Sequence, residues 1–407
     1  MEQSNKIVKV ARDIWTIVGI TLLVFLLLES FLSLTFRVRE SFSKSSTAFV
    51  DSRANADAYQ DRSWAASYYE EFERSQIAQW KPYVYWRQQP YQGKYINITE
   101  NGLRFTPDPL ITHQSGTPPL RIFMFGGSTL WGTGARDSMT IPAILATELA
   151  NKGITAEVTN FGESGYVNTQ EFIGLLLELQ KEKIPDLVIF YDGVNDTFSA
   201  YQQGVAGVPQ NEFNRVTEFN LLTPANRAKL WFVAFRNTLH DLSTVKFLEG
   251  LFRRLGVIPQ RGAVSASAVV SSQVDHDALA HDVVANYKNS IKMVNALANQ
   301  YGFKGFFYWQ PTIFQKIHLT EYESWWRQDG RPMELFFLKT YALAQQSIGT
   351  HETHSQVRDL SLIFSNVREP LYVDWCHLAE LGNTLIAKKM ASDVFSVVGA
   401  KVTSTAK

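Results

Sequence analysis

Four short segments hold the side chains that nucleophilic acyl transfer needs. In FMFGGSTLWG at 123–132, Gly126 and Gly127 allow a tight turn that exposes the Ser128 hydroxyl and leaves its N–H available. The spacing departs from a Gly-x-Ser-x-Gly elbow, because Leu130 stands where the last glycine would be. In YVDWCHLAELGN at 372–383, Asp374 and His377 are three apart. A carboxylate at that spacing can fix the imidazole tautomer and stabilise the imidazolium formed when serine gives up its proton. Asp374 reads equally as a helix N-cap.

Two further segments could supply hydrogen-bond donors to a developing oxyanion. Gly165, in NFGESGYVNTQE at 160–171, lets a backbone N–H approach a substrate oxygen, or serves only as a helix-entry turn. Asn195, in YDGVNDT at 191–197, offers a side-chain amide beside the flexible Gly193, or forms an Asx turn. Trp309 and Gln310 end an apolar run and are placed as substrate-pocket residues, with core packing the alternative for Trp309. Cys376 adjoins His377, and its side chain is expected to point away from the site. His351 and His354 have a spacing that could serve a metal, but a polar loop is the simpler reading. No metal or cofactor is expected.

These segments follow apolar runs of strand length. RIFMF at 121–125, AEVTNF at 156–161, DLVIFY at 186–191 and KGFFYWQ at 304–310 read as strands, with SLIF at 361–364 as a fifth. Helical stretches lie between them, near 140–152, 169–183, 281–302, 333–348 and 377–397. Alternation of this kind calls for an α/β fold with a parallel sheet covered on both faces, and ligands bind such sheets at the carboxyl ends of the strands. An insertion at 197–274, apolar with interspersed basic residues, reads as a cap over the site or as an amphipathic segment on a bilayer; the cap is preferred because the insertion leaves the sheet beside the site.

Composition narrows the function classes. The 407 residues carry 39 basic and 39 acidic side chains, so no electrostatic case for nucleic acid arises. The single cysteine excludes an intrachain disulfide and a cysteine-based zinc site. Residues 14–36 are apolar except for Glu29 and small polar residues, enough to cross a hydrocarbon core of ~30 Å as a helix. No small-x-small cleavage site follows, so a single-pass signal anchor is expected, with the tail at 1–13 in the cytoplasm and the rest periplasmic or otherwise extracytoplasmic. Residues 37–120 read as a stalk with an aromatic clasp, 121–397 as the catalytic domain, and 398–407 as a tail.

Taken in order, the serine after strand one, glycine after strand two, Gly-x-Asn after strand three and Asp-x-x-His near the end resemble the SGNH (GDSL-type) hydrolase superfamily. The resemblance implies a three-layer flavodoxin-like sheet of order 2-1-3-4-5. It implies Ser128 as nucleophile, His377 as base, Asp374 as its partner, and an oxyanion hole of the Ser128 N–H, the Gly165 N–H and the Asn195 side chain. Where the family often has Gly-Asp-Ser, this chain has Gly127 in the middle. The GGST and the aromatic PYVYWRQQPYQGKYINITENGLR are similar to a membrane-anchored branch associated with bacterial surface-polysaccharide loci. That branch implies an acylated glycan as substrate, with esterase and acyltransferase chemistry both open; the anchor and the apolar insertion also fit a lipid esterase or thioesterase, and an inactive membrane-tethered binding protein on the same fold is the last alternative.

Overall fold

A strand covered on both faces needs apolar side chains at successive positions, and the runs ending at Gly126, Asp192 and Trp309 satisfy that almost without a break. They form the centre of the sheet in a computed structural model of the protein. It describes residues 2–46, 51–59, 63–109, 118–221, 231–232, 235, 238–239, 242–254, 274–348 and 356–405.

The chain opens with the long helix α1 (Glu2–Ser46). A short 3-10 turn at Ser52–Asn55 precedes α2 (Ala65–Ser75). An antiparallel hairpin of β1 (Ala78–Lys81) and β2 (Tyr85–Gln88) follows, then a small pair, β3 (Tyr91–Gln92) and β4 (Asn97–Ile98). The main sheet begins with β5 (Leu120–Gly126), followed by α3 (Ser128–Trp131) and α4 (Ile141–Asn151). Next come β6 (Ala156–Asn160), α5 (Asn168–Leu179), β7 (Leu187–Asp192) and α6 (Val194–Gln203). The insertion contains α7 (Glu212–Leu221) and α8 (Ser243–Arg254). After α9 (His276–Tyr301) the chain adds β8 (Lys304–Trp309), α10 (Glu321–Asp329), α11 (Arg331–Ile348), β9 (Gln356–Asp359) and α12 (Glu380–Thr405).

The five sheet strands are parallel and ordered β6-β5-β7-β8-β9, the 2-1-3-4-5 order. Helices α4 and α12 pack together, and α9 packs with α5, α6 and α11, giving the layers that cover the sheet. Phe161, Phe125, Phe190 and Phe307 stack in series across neighbouring strands, with centroids 4.8, 5.3 and 5.5 Å apart.

Three expectations change. The fifth strand is Gln356–Asp359, not 361–364. As an edge strand it pairs only with β8 and tolerates polar residues, whereas Leu360 and Phe364 are buried at helical-turn spacing. The last helix starts at Glu380, leaving His377 in the loop before it. The segment after α1 is not a free stalk: Ala54, Ala56, Tyr59, Tyr68 and Tyr69 form a core with Trp131 and Val373. The histidines at 351 and 354 lie outside the described residues, as do 110–117 of the stalk segment and 255–273 of the insertion.

The chain divides into two units, Val50–Glu212 with Ser267–Lys407, and Met1–Phe49 with Phe213–Ala266. Within the second, α8 packs on α1. The Glu29 carboxylate accepts hydrogen bonds from the Ser243 and Thr244 N–H groups (2.6 and 2.9 Å) and from the Thr244 hydroxyl (2.5 Å), capping α8. The insertion helix therefore groups with the N-terminal helix.

The aromatic series makes the sheet centre sensitive to truncation. Phe190→Ala should lower unfolding free energy by ~3–5 kcal/mol, read by urea denaturation. A loss under ~1 kcal/mol would mean that the stack is not close-packed.

Candidate active site

The loops after β5, β6 and β7 meet the segment before α12 at the carboxyl edge of the sheet. Ser128 begins α3 directly after Gly127, whose α-carbon faces the Asn195 amide so closely that a side chain there would collide with it. A larger residue in the middle of Gly-Gly-Ser would require the Asn195 amide to shift from the position it holds here. At Gly126 a side chain would come within 2.8 Å of the Tyr191 carbonyl.

Ser128 Oγ lies 2.6 Å from His377 Nε2, and His377 Nδ1 lies 2.6 Å from Asp374 Oδ2. The other oxygen, Asp374 Oδ1, accepts the N–H groups of Cys376 (3.0 Å) and His377 (2.8 Å). Asp374 is therefore not the helix N-cap posed as its alternative, since the helix starts at Glu380; it closes a turn in the preceding loop while it holds the imidazole. Burial works against the ionised Asp374, but the His377 ring, its hydrogen bonds and Arg53 outweigh it and hold the carboxyl well below the usual carboxylate range.

Cys376 does not point away as expected: Sγ sits 3.5 Å from His377 Nδ1, on the Asp374 side of the ring and not on the Nε2 side. Burial and the Asp374 charge push its thiol well up, which leaves it protonated and a poor nucleophile. Asp374, Cys376 and His377 could together offer metal ligands. The 2.6 Å contact between Nδ1 and Oδ2 is a hydrogen bond, shorter than the ~3 Å or more that separates two ligands on one ion bonded at ~2.1 Å.

The donor loops are built with similar detail. Gly165 has φ +76° and Gly193 has φ +115°, conformations that favour glycine. A side chain at Gly193 would press on the Trp309 ring at 2.8 Å. Trp309 is fully buried beneath that loop between Tyr287 and Tyr341, so it supports the loop instead of lining an open pocket. Gln310 is also buried, its N–H donating to the Asp192 carbonyl at 2.8 Å. Both depart from the pocket-lining expectation, because the strand carries them below the surface. The Asn195 amide donates to the Tyr166 carbonyl at 2.7 Å, and the Gln210 amide donates to Asn195 Oδ1 at 3.3 Å, fixing which way Asn195 faces.

Several contributors were not singled out from sequence. Trp86 Nε1 donates to the Ser164 carbonyl (2.9 Å), Arg87 to the Phe161 carbonyl (3.1 Å), and the Gln170 amide to the Val84 carbonyl (2.8 Å). Tyr166 O–H donates to the Trp86 carbonyl. The β1–β2 hairpin thereby splints the Gly165 loop. Glu163 accepts from Gln88 and Ser164 inside this joint. Arg53 approaches Asp374 Oδ2 at 3.5 Å. The aromatic and polar alternation at 81–105 was the one signal available for the hairpin. Nothing local marks Arg53.

Residues 122–390 match the family model described as GDSL-like lipase/acylhydrolase. No curated protein matches the chain. Among solved structures, the acetyl xylan esterase AlAXEase is 16% identical, with 67% of this chain and 99% of that one covered at a TM-score of 0.32. The lipase Lip_vut3 from a goat rumen metagenome is 10% identical, covering 67% and 97%, at 0.38. Axe2, an acetylxylan esterase from Geobacillus stearothermophilus, is 13% identical, covering 67% and 93%, at 0.33. Likenesses this weak carry nothing further; the family match stands without them.

Burial, opposed by Arg87, pushes the Glu163 carboxyl up to about 7. Its unfolded-state value is near ~4.3, so the folded protein holds this proton more tightly. The resulting stability is full at low pH and is lost as pH rises through about 7. Glu163→Gln should therefore lose less melting temperature than wild type between pH ~5 and ~8. Equal losses would show that Glu163 does not titrate in that range.

Proposed function

The chain belongs to the GDSL-like lipase/acylhydrolase family and is an ester-hydrolysing enzyme of SGNH type; from that premise we propose that Ser128, His377 and Asp374 are its catalytic residues and that it acts on O-acyl groups of a glycan. The observation that carries the reading is the unbroken hydrogen-bonded line from Ser128 Oγ through His377 to Asp374.

His377 Nε2 takes the Ser128 proton as Oγ attacks the ester carbonyl. Negative charge gathers on the former carbonyl oxygen, where the Ser128 and Gly165 N–H groups and the Asn195 amide stabilise it. One amide hydrogen of Asn195 is committed to Tyr166, and the second serves the oxyanion. Collapse expels the alkoxide, which takes the proton from His377. A water molecule, deprotonated by His377, then releases the acyl group and regenerates Ser128. Asp374 remains ionised throughout and stabilises the imidazolium. A sugar hydroxyl in place of water would make the same site an acyltransferase.

Support for a glycan comes from the hairpin that splints the Gly165 loop. Trp80 and Tyr83 are 68% and 73% exposed, and Trp80 stacks on Tyr85 at 5.4 Å, presenting flat rings next to the Trp86 joint. Tyr83 and Tyr85 hold φ values of +70° and +74°, a costly backbone for tyrosine that persists in a displayed turn.

Val8–Val38 is long and apolar enough to span a membrane, and its side chains lie largely exposed. In the proposed topology α1 is the anchor, the Lys6, Lys9 and Arg12 end stays cytoplasmic, and the catalytic unit works outside. Phe247, Leu248, Leu251 and Phe252 of α8 are exposed beside α1, which supports an insertion lying against lipid.

With a short-chain aryl ester, Ser128→Ala should abolish turnover and Asn195→Ala should lower kcat ~10²–10³-fold. A Ser128→Ala protein with wild-type activity would overturn the assignment. Mass spectrometry of glycans from cells lacking the protein tests the substrate. A gain of acyl groups supports hydrolysis, a loss indicates transfer, and unchanged glycans would remove the glycan reading.

A further inference from the structure

Arg53 lies on the arm at 51–75, far in sequence from every segment that builds the site, yet its guanidinium reaches Asp374. Nη1 stands 3.5 Å from Asp374 Oδ2, the oxygen that faces the His377 ring. The rest of the fork is committed to Asp51: Nε to Oδ1 at 3.0 Å and Nη2 to Oδ2 at 2.7 Å. The guanidinium also lies over the Tyr69 and Phe72 rings at 5.0 and 5.1 Å. Asp51 in turn caps the 3-10 turn that carries Arg53. Carboxylate, cation and rings therefore fix one guanidinium edge toward Asp374.

We infer that Arg53 is a positioning residue for the catalytic line, orienting the Asp374 carboxylate toward His377, and that Asp51 balances its charge. The inference rests on the Ser128–His377–Asp374 reading above. An isolated cation beside Asp374 would compete with the imidazolium for the carboxylate and slow proton removal from Ser128. Paired with Asp51, the guanidinium retains its geometric hold while most of its field is cancelled. Among the described residues, the other titratable groups facing the pair are the Cys376 thiol, Tyr69 under the guanidinium with Tyr59 hydrogen-bonded to it at 3.0 Å, and Tyr322 of α10, whose hydroxyl donates to the Val373 carbonyl at 2.8 Å. None of these can offset the charge of Arg53 while protonated.

Opposite responses are expected from the two members of the pair. In the full-length protein in detergent, Arg53→Met should lower kcat for an aryl ester ~10–10²-fold, with KM within ~2-fold, because the loss falls on geometry needed in the transition state. The acid limb of kcat/KM should move to higher pH, since a cation that opposed the imidazolium is gone and Asp51 is left unbalanced. Asp51→Asn keeps the cation and the cap but removes the balance, so its acid limb should move to lower pH. Arg53→Lys should recover part of the lost kcat.

A folded Arg53→Met with wild-type kcat and acid limb overturns the inference. So does a loss of kcat with both limbs unmoved, which would reduce Arg53 to a packing residue. Should Arg53→Met fail to fold, Asp51→Asn decides alone, and a limb that does not fall is the contrary result. A wild type inert to esters and to a fluorophosphonate would defeat the triad reading and this inference together. A reactive wild type matched by Arg53→Met defeats this inference only.

Discussion

A carboxylate held almost out of water is an expensive arrangement, and the Asp374 site is organised around keeping it. Only 8% of that side chain is exposed, so the ionised form must be paid for by near neighbours. Two backbone N–H groups take one oxygen; His377 and Arg53 share the other. That division lets one aspartate cap its own loop, hold a ring and keep its charge. A segment that folds this way also brings His377 Nε2 to Ser128 across 249 residues of sequence.

The rest of the catalytic unit supplies rigidity at that edge. Parallel strands deliver Ser128, Gly165 and Asn195 from three consecutive loops, and the buried Trp309 underlies the third. Close packing between Gly127 and the Asn195 amide ties the Ser128 loop to the Asn195 loop. The hairpin and the arm, which precede the sheet in sequence, brace the Gly165 loop and the Asp374 loop respectively. Around Asn195, burial pushes the Glu171, Asp192 and Asp196 carboxyls up, and hydrogen bonds from Asn168 hold Asp192 and Asp196 in place.

Much of this was legible because it is local. Apolar runs announced four of the sheet strands, and glycines marked the turns where φ is positive. The fifth strand was missed by a few residues, since QVRD at an edge carries little apolar signal while the SLIF turn, with Phe364 buried, does. Trp309 and Gln310 were drawn to the pocket by their place at a strand end, but strand direction alone does not reveal depth. Arg53 and Gln210 had no signature at all: their contacts with Asp374 and Asn195 join separate segments, with no spacing rule to find them. The insertion's sequence fitted two destinations, and nothing local in it pointed to the Glu29 contact with α8.

The central claim is that Ser128 becomes acylated, and a trapped intermediate tests it most directly. The full-length protein, mixed with a short-chain aryl ester, is quenched in acid during turnover, digested and mapped by mass spectrometry. An acyl group on the peptide containing Ser128, absent when the ester is omitted, is the predicted result. Continued turnover with the acyl group on another residue, Cys376 included, would contradict it.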